Sequence, residues 1–310
     1  MEFSAALPTF LVTLREGVEA ALVVGIVLAC LKKAEQSQLN PWVYLGVGVG
    51  IVASALVGVL LGWGLQAVGA SDMVYAPAIK PMLEAVFCAV AIAMLSWMLI
   101  WMTQQAKSLK GEIEGAVNAA MTDNPTRAGW GVFLLIFIAV LREGFETVLF
   151  IVAKFEQGIA PAFGALIGLA GAAGIGVLLF KWGVKINIRL FFQIMGVLLL
   201  LIVSGLVIST LKNANAAATI LANIDPQFAN LCMSGSDSCI LGPLVWDARN
   251  FLPDDRFPGI LLKALFGYRA QLYLAQVVSY LVFLLAAGGL YFQSITGGML
   301  KTERSLESGG

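Results

Sequence analysis

Long apolar runs separated by short polar connections make up most of the chain. A helix needs about 20 mostly apolar residues to cross the hydrocarbon core of a bilayer. Seven stretches meet this requirement, at about residues 7–31, 42–66, 82–103, 129–153, 161–182, 190–211 and 271–293. The pattern therefore predicts an all-α integral membrane protein, a single domain over residues 1–310 with seven transmembrane helices.

The composition supports a membrane protein and excludes several other classes. Of the 310 residues, 59% are hydrophobic and 12% are charged, with a mean hydropathy of +0.89. Soluble domains carry about 45–50% apolar and about 25% charged residues. We therefore exclude a soluble globular protein, a disordered chain and a nucleic-acid-binding protein. The chain has no histidine, which removes most zinc, haem and catalytic-triad chemistry.

Basic residues predict the orientation, because Lys and Arg concentrate in short cytoplasmic loops. At one set of helix ends the short connections carry only Lys80 and Lys154, and the basic residues of the long connection 212–270 count little because long loops translocate regardless of charge. Ten lie at the other set: Lys32, Lys33, Lys107, Lys110, Arg127, Lys181, Lys185, Arg189, Lys301 and Arg304. We expect a plasma (inner) membrane protein with its N-terminus outside, the connection 212–270 outside, and a cytoplasmic tail at 294–310.

A six-residue motif occurs twice. Residues 14–19 read Leu-Arg-Glu-Gly-Val-Glu, and residues 141–146 read Leu-Arg-Glu-Gly-Phe-Glu. A Gly-Val-Leu-Leu segment in the second span also returns in the fifth. Because each unit has an odd number of spans, the second must enter the membrane from the opposite side, as in the inverted repeats of transporters. The predicted units are 7–103 and 129–211, followed by the seventh helix at 271–293.

The repeated motif places carboxylates near the middle of the membrane. Glu16 and Glu19 are about 14–18 Å into the first span, in a core about 30 Å thick. Ionisable groups at this depth face the bundle interior or a water-filled path. Spacing of i,i+3 puts both carboxylates on one helical face. The same holds for Glu143 and Glu146 in the fourth span.

Each motif also supplies an arginine and a glycine. Arg15 and Arg142 precede the second glutamate of their motif by four residues and can form an ion pair with it. Gly17 and Gly144 remove bulk, and we expect them to let the two motif helices approach each other. Four carboxylates facing two guanidiniums predict a cation site, and the alternative is a pair of salt bridges that only join helices. Oxygen-only ligands favour hard ions such as Mg²⁺, Ca²⁺, Mn²⁺ or Fe³⁺.

The twin Arg-Glu-Gly-x-Glu motifs in a seven-span chain resemble the high-affinity, oxidase-dependent iron permease family of fungi and bacteria, including EfeU-like permeases. The resemblance implies uptake of iron as Fe³⁺, with Glu16, Glu19, Glu143 and Glu146 as its ligands. It implies no cofactor beyond the transported ion, and an exterior partner that oxidises or delivers iron. Some members carry Glu-x-x-Glu after the third span, whereas this chain has Glu112-Ile113-Glu114 there. We therefore assign no role to that loop.

Several further residues have two interpretations. Glu84, a turn from Lys80, is either an additional metal ligand or half of an interfacial ion pair. Cys232 and Cys239 are either disulfide-bonded, as an oxidising exterior favours, or two free thiols. A methionine at every fourth position of the third span suggests a ladder for soft metals, but packing is the favoured interpretation. The three are Met94, Met98 and Met102.

Two other functions fit parts of the pattern. One is a permease of the same architecture for another metal, such as Pb²⁺ or Mn²⁺. The other is a di-iron carboxylate oxidase in the membrane, but such sites normally include Glu-x-x-His, and the chain has no histidine. The chain also lacks the Gly-x-x-x-x-Gly-Lys-Ser/Thr pattern of ATP-driven proteins.

Overall fold

The computed structural model describes residues 3–69, 75–105, 111, 115, 125–153, 160–182, 187–225, 227, 232 and 238–307. Within these, the helices are α1 Phe3–Lys33, α2 Asn40–Gly69, α3 Ala76–Gln105, α4 Pro125–Ala153, α5 Ala160–Phe180, α6 Ile188–Ile224, α7 Gly259–Phe266 and α8 Leu274–Glu307. A 3₁₀ turn, Ser37–Leu39, links α1 to α2. Strands β1 Leu244–Asp247 and β2 Gln271–Tyr273 pair antiparallel. The predicted all-α class is confirmed.

Most of the long helices are suited to a membrane. Five segments in the described part of the chain are long and apolar enough to cross a bilayer: Ser37–Gly64, Pro77–Leu99, Ala160–Phe180, Leu190–Ile224 and Leu274–Ser294. Helices α1 and α4 are comparably long, with 31 and 29 residues, but each carries the three charged residues of a motif. The molecule is thus a multi-pass helical membrane protein.

Two helices extend beyond the predicted spans, and the last long helix also begins later than predicted. Helix α6 continues through 212–224, a segment rich in alanine, the best helix former. The seventh long helix begins at Leu274 rather than at 271, because 271–273 pair with β1 instead. Helix α8 then continues to Glu307, so the tail predicted from 294 is helical up to that residue.

Three pairs of helices make the most extensive contacts: α1 with α5, α2 with α4, and α3 with α6. Small residues at every fourth position allow the first two pairs to approach closely. A Cβ on Gly46 of α2 would collide with the Phe133 carbonyl of α4, and one on Gly164 of α5 with the Ala6 carbonyl of α1. The two stripes are Gly46, Gly50, Ser54 and Gly58 in α2, and Gly164, Gly168, Ala172 and Gly176 in α5.

Two buried apolar clusters surround the middle of the bundle. The first, which we call the α1–α2–α4 cluster, consists of Val27, Leu31, Leu39, Val43, Ala128, Val132, Ile136 and Val140. The second, the α3–α6–α8 cluster, is built around Cys88, Leu95, Val203, Leu206 and Tyr291, and it also takes in Val12 and Phe150. The motif residues lie between these clusters along α1 and α4, so the packing fixes the rotation of both motif helices.

Candidate metal centre

Helix α1 buries Arg15 and Glu16 of its motif and leaves the Glu19 side chain 13% exposed. Arg15 and Glu16 are 2% and 1% exposed. The Arg15 guanidinium lies 2.6 Å from a Glu16 carboxylate oxygen and 3.0 Å from one of Glu19. It also donates to the Met98 sulfur of α3 at 3.3 Å. One guanidinium therefore holds both carboxylates of its motif, whereas the spacing alone had predicted only the Glu19 pair.

Helix α4 presents its motif differently. The Arg142 side chain is 50% exposed, and its Nε lies 3.9 Å from Glu143 and 3.5 Å from Glu146. Both glutamates are nevertheless buried from solvent, at 13% and 8% side-chain exposure. The carboxylates of the second motif are therefore held less tightly by their own arginine.

Three of the four motif glutamates converge. Glu16, Glu19 and Glu143 each present a carboxylate oxygen, and these oxygens all lie within 4.8 Å of one another. Opposite ligands of one hard cation, bound at 2.0–2.4 Å, are about 4–4.8 Å apart. The three oxygens, which come from two helices, can therefore reach a single ion.

The fourth glutamate lies beside this group and not within it. Glu146 lines a cavity of about 420 Å³ between α3 and α4, together with Ala93, Met94, Trp97, Met98 and Arg142. The motif pattern had placed four equivalent carboxylates around one centre. The structure instead has a triad and an adjacent carboxylate in a cavity that also contains two thioethers.

Several carboxylate oxygens of the site lack a hydrogen-bond partner. Among the described residues these include the Oε2 atoms of Glu16, Glu143 and Glu146. A buried unsatisfied acceptor is costly, and like charges at this separation repel each other. A bound cation removes both penalties at once, since it binds the free oxygens and neutralises their charge. Oxygen-only ligands suit a hard ion best.

The motif glycines do not bring α1 and α4 together, and that expectation is wrong. A Cβ on Gly17 would meet Ala172 of α5, and one on Gly144 would meet Ser54 of α2. The reason is geometric. A residue next to Glu16 or Glu143 in sequence is rotated about 100° around the helix, so turning the glutamates inward turns the glycine toward a neighbouring helix.

The other candidate residues lie outside the triad. Glu84 is 5% exposed, and its carboxylate lies 4.0 Å from the Lys80 ammonium one turn away. Cys232 and Cys239 form a disulfide. Glu112 and Glu114 lie outside the described residues, as does the Met102 side chain.

Two acidic residues in the connection between α6 and α8 are ion-paired. Arg249 donates from two nitrogens to the Asp247 carboxylate, at 2.6–3.1 Å, and these hydrogen bonds lower the pKa of Asp247. Lys263 lies 3.6 Å from Asp254. These pairs reduce the negative field that the acids of this connection present to a cation.

The sequence interpretation missed some residues of the site. Thr9 and Thr13 are buried polar residues on the same side of α1 as Glu16, and their spacing of four and three residues was a readable signal. The contact of Met98 with Arg15 carried no such signal, because it depends on how α3 is rotated against α1.

The chain is similar to known proteins over most of its length. Residues 6–293 match the model of the Iron permease FTR1 family. The chain is 50% identical to an uncharacterized protein from Synechocystis sp. over 298 residues, 96% of each chain. It is 28% identical to the ferrous iron permease EfeU of Yersinia pseudotuberculosis over 309 residues, 98% of this chain and 99% of that one. It is 29% identical to that of Shigella sonnei over 280 residues, 90% and 92% of the two chains. No solved structure matches it significantly.

Proposed function

This chain belongs to the Iron permease FTR1 family, and on that basis we propose that iron crosses the membrane through a centre formed by Glu16, Glu19 and Glu143, with Glu146 as an adjacent second position. The family is one of permeases, so the prediction of an iron transporter rather than an enzyme is confirmed. The observation that carries the site proposal is the convergence of three carboxylate oxygens, from two helices, within 4.8 Å.

A purely structural role for the motif charges fits this geometry poorly. Arg15 already engages both glutamates of its own motif. Glu143 adds a third carboxylate to the group, while the nearest atom of its own arginine, Arg142, lies 3.9 Å away. A purely structural set of salt bridges would supply one guanidinium for each carboxylate, but here each of the two arginines is shared by two glutamates. This group instead has an excess of carboxylates, as an ion-binding centre requires.

We also propose seven transmembrane helices arranged as two inverted repeats plus α8. Glycine contacts of the two halves support this arrangement. They correspond when α1 is aligned with α4, so that Glu16 matches Glu143, and α2 is aligned with α5, so that Gly46 matches Gly164. The contact of Gly164 with Ala6 then matches that of Gly46 with Phe133. Three more contacts correspond in the same way: Gly168–Thr13 with Gly50–Val140, Gly17–Ala172 with Gly144–Ser54, and Gly176–Ala21 with Gly58–Val148.

The proposed ion at the centre is Fe³⁺. Its support is the oxygen-only donor set, together with the absence of histidine from the chain. Relatives are named ferrous iron permeases. An exterior partner that oxidises Fe²⁺ on delivery would make a ferrous supply compatible with a ferric ion at the centre. The N-terminus and the connection after α6 then face the outside of the plasma membrane, as the distribution of basic residues predicts.

Uptake of radioactive iron into proteoliposomes tests this proposal. Glu16→Gln and Glu143→Gln should each reduce uptake at least about ten-fold, because each removes a charged ligand. Glu35→Gln, at an exposed position after α1, is the matched control and should transport normally. Wild-type uptake by both site variants would contradict the proposal. Parallel assays with Fe³⁺, Fe²⁺, Mn²⁺ and Pb²⁺ identify the transported ion.

A further inference from the structure

Helix α1 carries a lane of buried polar side chains that leads to the metal centre. Thr9 and Thr13 are 0% and 6% exposed, although both lie in the first half of a membrane helix. They precede Glu16 by seven and three residues, so the three side chains follow one side of the helix. We call these residues the Thr9–Thr13–Glu16 lane.

The Thr13 hydroxyl differs from most hydroxyls in these helices. Its Oγ1 is buried and makes no hydrogen bond with the described residues. A threonine or serine in a helix ordinarily donates to the carbonyl one turn back. Among the described helical residues, six hydroxyls donate to the carbonyl four residues back: those of Ser54, Thr147, Ser204, Ser209, Thr210 and Thr219. The Thr13 oxygen is thus available to another group.

Neighbouring helix α5 packs directly against Thr13. The residue opposite is Gly168, where a Cβ would collide with the Thr13 side chain and the Phe10 carbonyl. At Thr13 the α5 neighbour is therefore glycine backbone, and Glu16 of the carboxylate centre lies one turn further along α1. An unpaired neutral oxygen in this position is the kind of ligand that hard cations take in addition to carboxylates.

The second motif has no such lane. The residues that correspond to Thr9 and Thr13 are Ile136 and Val140, at the same spacing before Glu143. Both are buried in the α1–α2–α4 cluster, whose members are all apolar. The approach to the centre along α1 is therefore polar, and the matching approach along α4 is closed by hydrocarbon.

We propose that Thr13 binds the ion on its way to Glu16, and that the ion reaches the centre along the N-terminal half of α1. This inference rests on the proposed function, and in the proposed topology that half of α1 faces outside. Thr13 contributes a neutral oxygen that replaces part of the hydration shell before the carboxylates bind. Ile136 and Val140 keep the opposite side closed while the ion arrives.

Iron uptake by hydroxyl variants tests the role of Thr13. Thr13→Val keeps the side-chain shape and removes the oxygen, so the half-saturating iron concentration should rise about ten-fold, the effect of losing one contact to a charged group. Thr13→Ser keeps the oxygen and should stay near the wild-type value. Thr210→Val is the matched control, since the Thr210 hydroxyl donates a hydrogen bond to the Leu206 carbonyl. The half-saturating iron concentration of this variant should also stay near the wild-type value.

The outcomes separate this inference from the proposed function. If Glu16→Gln abolishes uptake and Thr13→Val equals wild type, Thr13 does not bind the ion and the inference fails alone. If Thr13→Ser is as impaired as Thr13→Val, the methyl group and not the oxygen matters, and the inference also fails. If Glu16→Gln transports normally, the metal centre itself is misassigned. Equilibrium binding of Fe³⁺ to the purified variants should show the same order of affinities.

Discussion

The two motif arginines occupy different environments although their local sequences match. Arg15 is buried and contacts two carboxylates and a methionine sulfur. Arg142 is half exposed, and its nearest carboxylate contact is 3.5 Å. The repeated sequence correctly predicts that both arginines lie beside their own glutamates. It does not predict the difference, because that depends on which neighbouring helix covers each side chain.

Removing the two arginines should therefore have unequal effects on stability. Arg15→Met leaves buried carboxylates uncompensated, and breaking such a group costs about 3–5 kcal/mol. Arg142→Met removes a half-exposed partner that lies 3.9 Å from Glu143 and 3.5 Å from Glu146, so it should lower the free energy of unfolding by less than Arg15→Met does. Thermal unfolding of the purified, detergent-solubilised variants measures both. Equal losses would contradict the assigned environments.

At the scale of the element, small-residue stripes determine which helices pair. Gly46 and Gly164 allow α2 and α5 to approach the carbonyls of α4 and α1. The spacing of these stripes is visible in the sequence, because small residues recur at every fourth position. The pairing of α1 with α5 and of α2 with α4 was therefore within reach of sequence reasoning.

Alanine substitutions test this pairing. Gly164→Ala and Gly46→Ala should each destabilise the protein by about 1–3 kcal/mol, because the added methyl group overlaps a backbone carbonyl. Gly48→Ala is the matched control on the same helix as Gly46, since a Cβ there meets no atom within 4 Å. That substitution should be neutral or stabilising. If thermal unfolding shows the same loss of stability for Gly48→Ala as for Gly46→Ala and Gly164→Ala, the close approach of the helices is refuted.

Helix ends were less predictable than helix centres. Apolar runs locate the buried part of a helix, but α6 continues through a mixed segment to Ile224, where hydropathy no longer marks its course. Residues 271–273 appeared to belong to the last apolar run, yet they pair with β1. Contacts between segments distant in sequence determine such ends, and the local pattern does not contain them.

At the scale of the whole molecule, buried threonines precede Glu16 on α1, whereas buried apolar residues precede Glu143 on α4. Membrane potential can then drive the ion inward, since a cation gains about 2.3 kcal/mol per charge per 100 mV. The sequence predicted four equivalent glutamates around one centre, whereas the structure groups three of them and places Glu146 beside that group. The proposed difference between the two halves rests on Thr13 and Val140. These corresponding residues are both buried, but one is polar and the other is apolar.

The orientation makes a direct prediction for thiol labelling. A membrane-impermeant maleimide applied to intact cells should label Cys232 or Cys239 after their disulfide is reduced, because the proposed orientation places both residues outside. Cys30, near the opposite end of α1, should be labelled only in opened membranes. Labelling of Cys30 alone in intact cells would contradict the proposed orientation and indicate the opposite one.

The central claim is that carboxylates from α1 and α4 bind one iron ion together. X-ray absorption at the iron edge of the loaded, purified protein tests it most directly. The account predicts a ligand shell of oxygen alone, with distances of about 2.0–2.2 Å as for carboxylate ligands of small divalent ions. The shell should lose oxygen ligands in both Glu16→Gln and Glu143→Gln. A sulfur ligand from Met94 or Met98, or a shell unchanged in both variants, would contradict it.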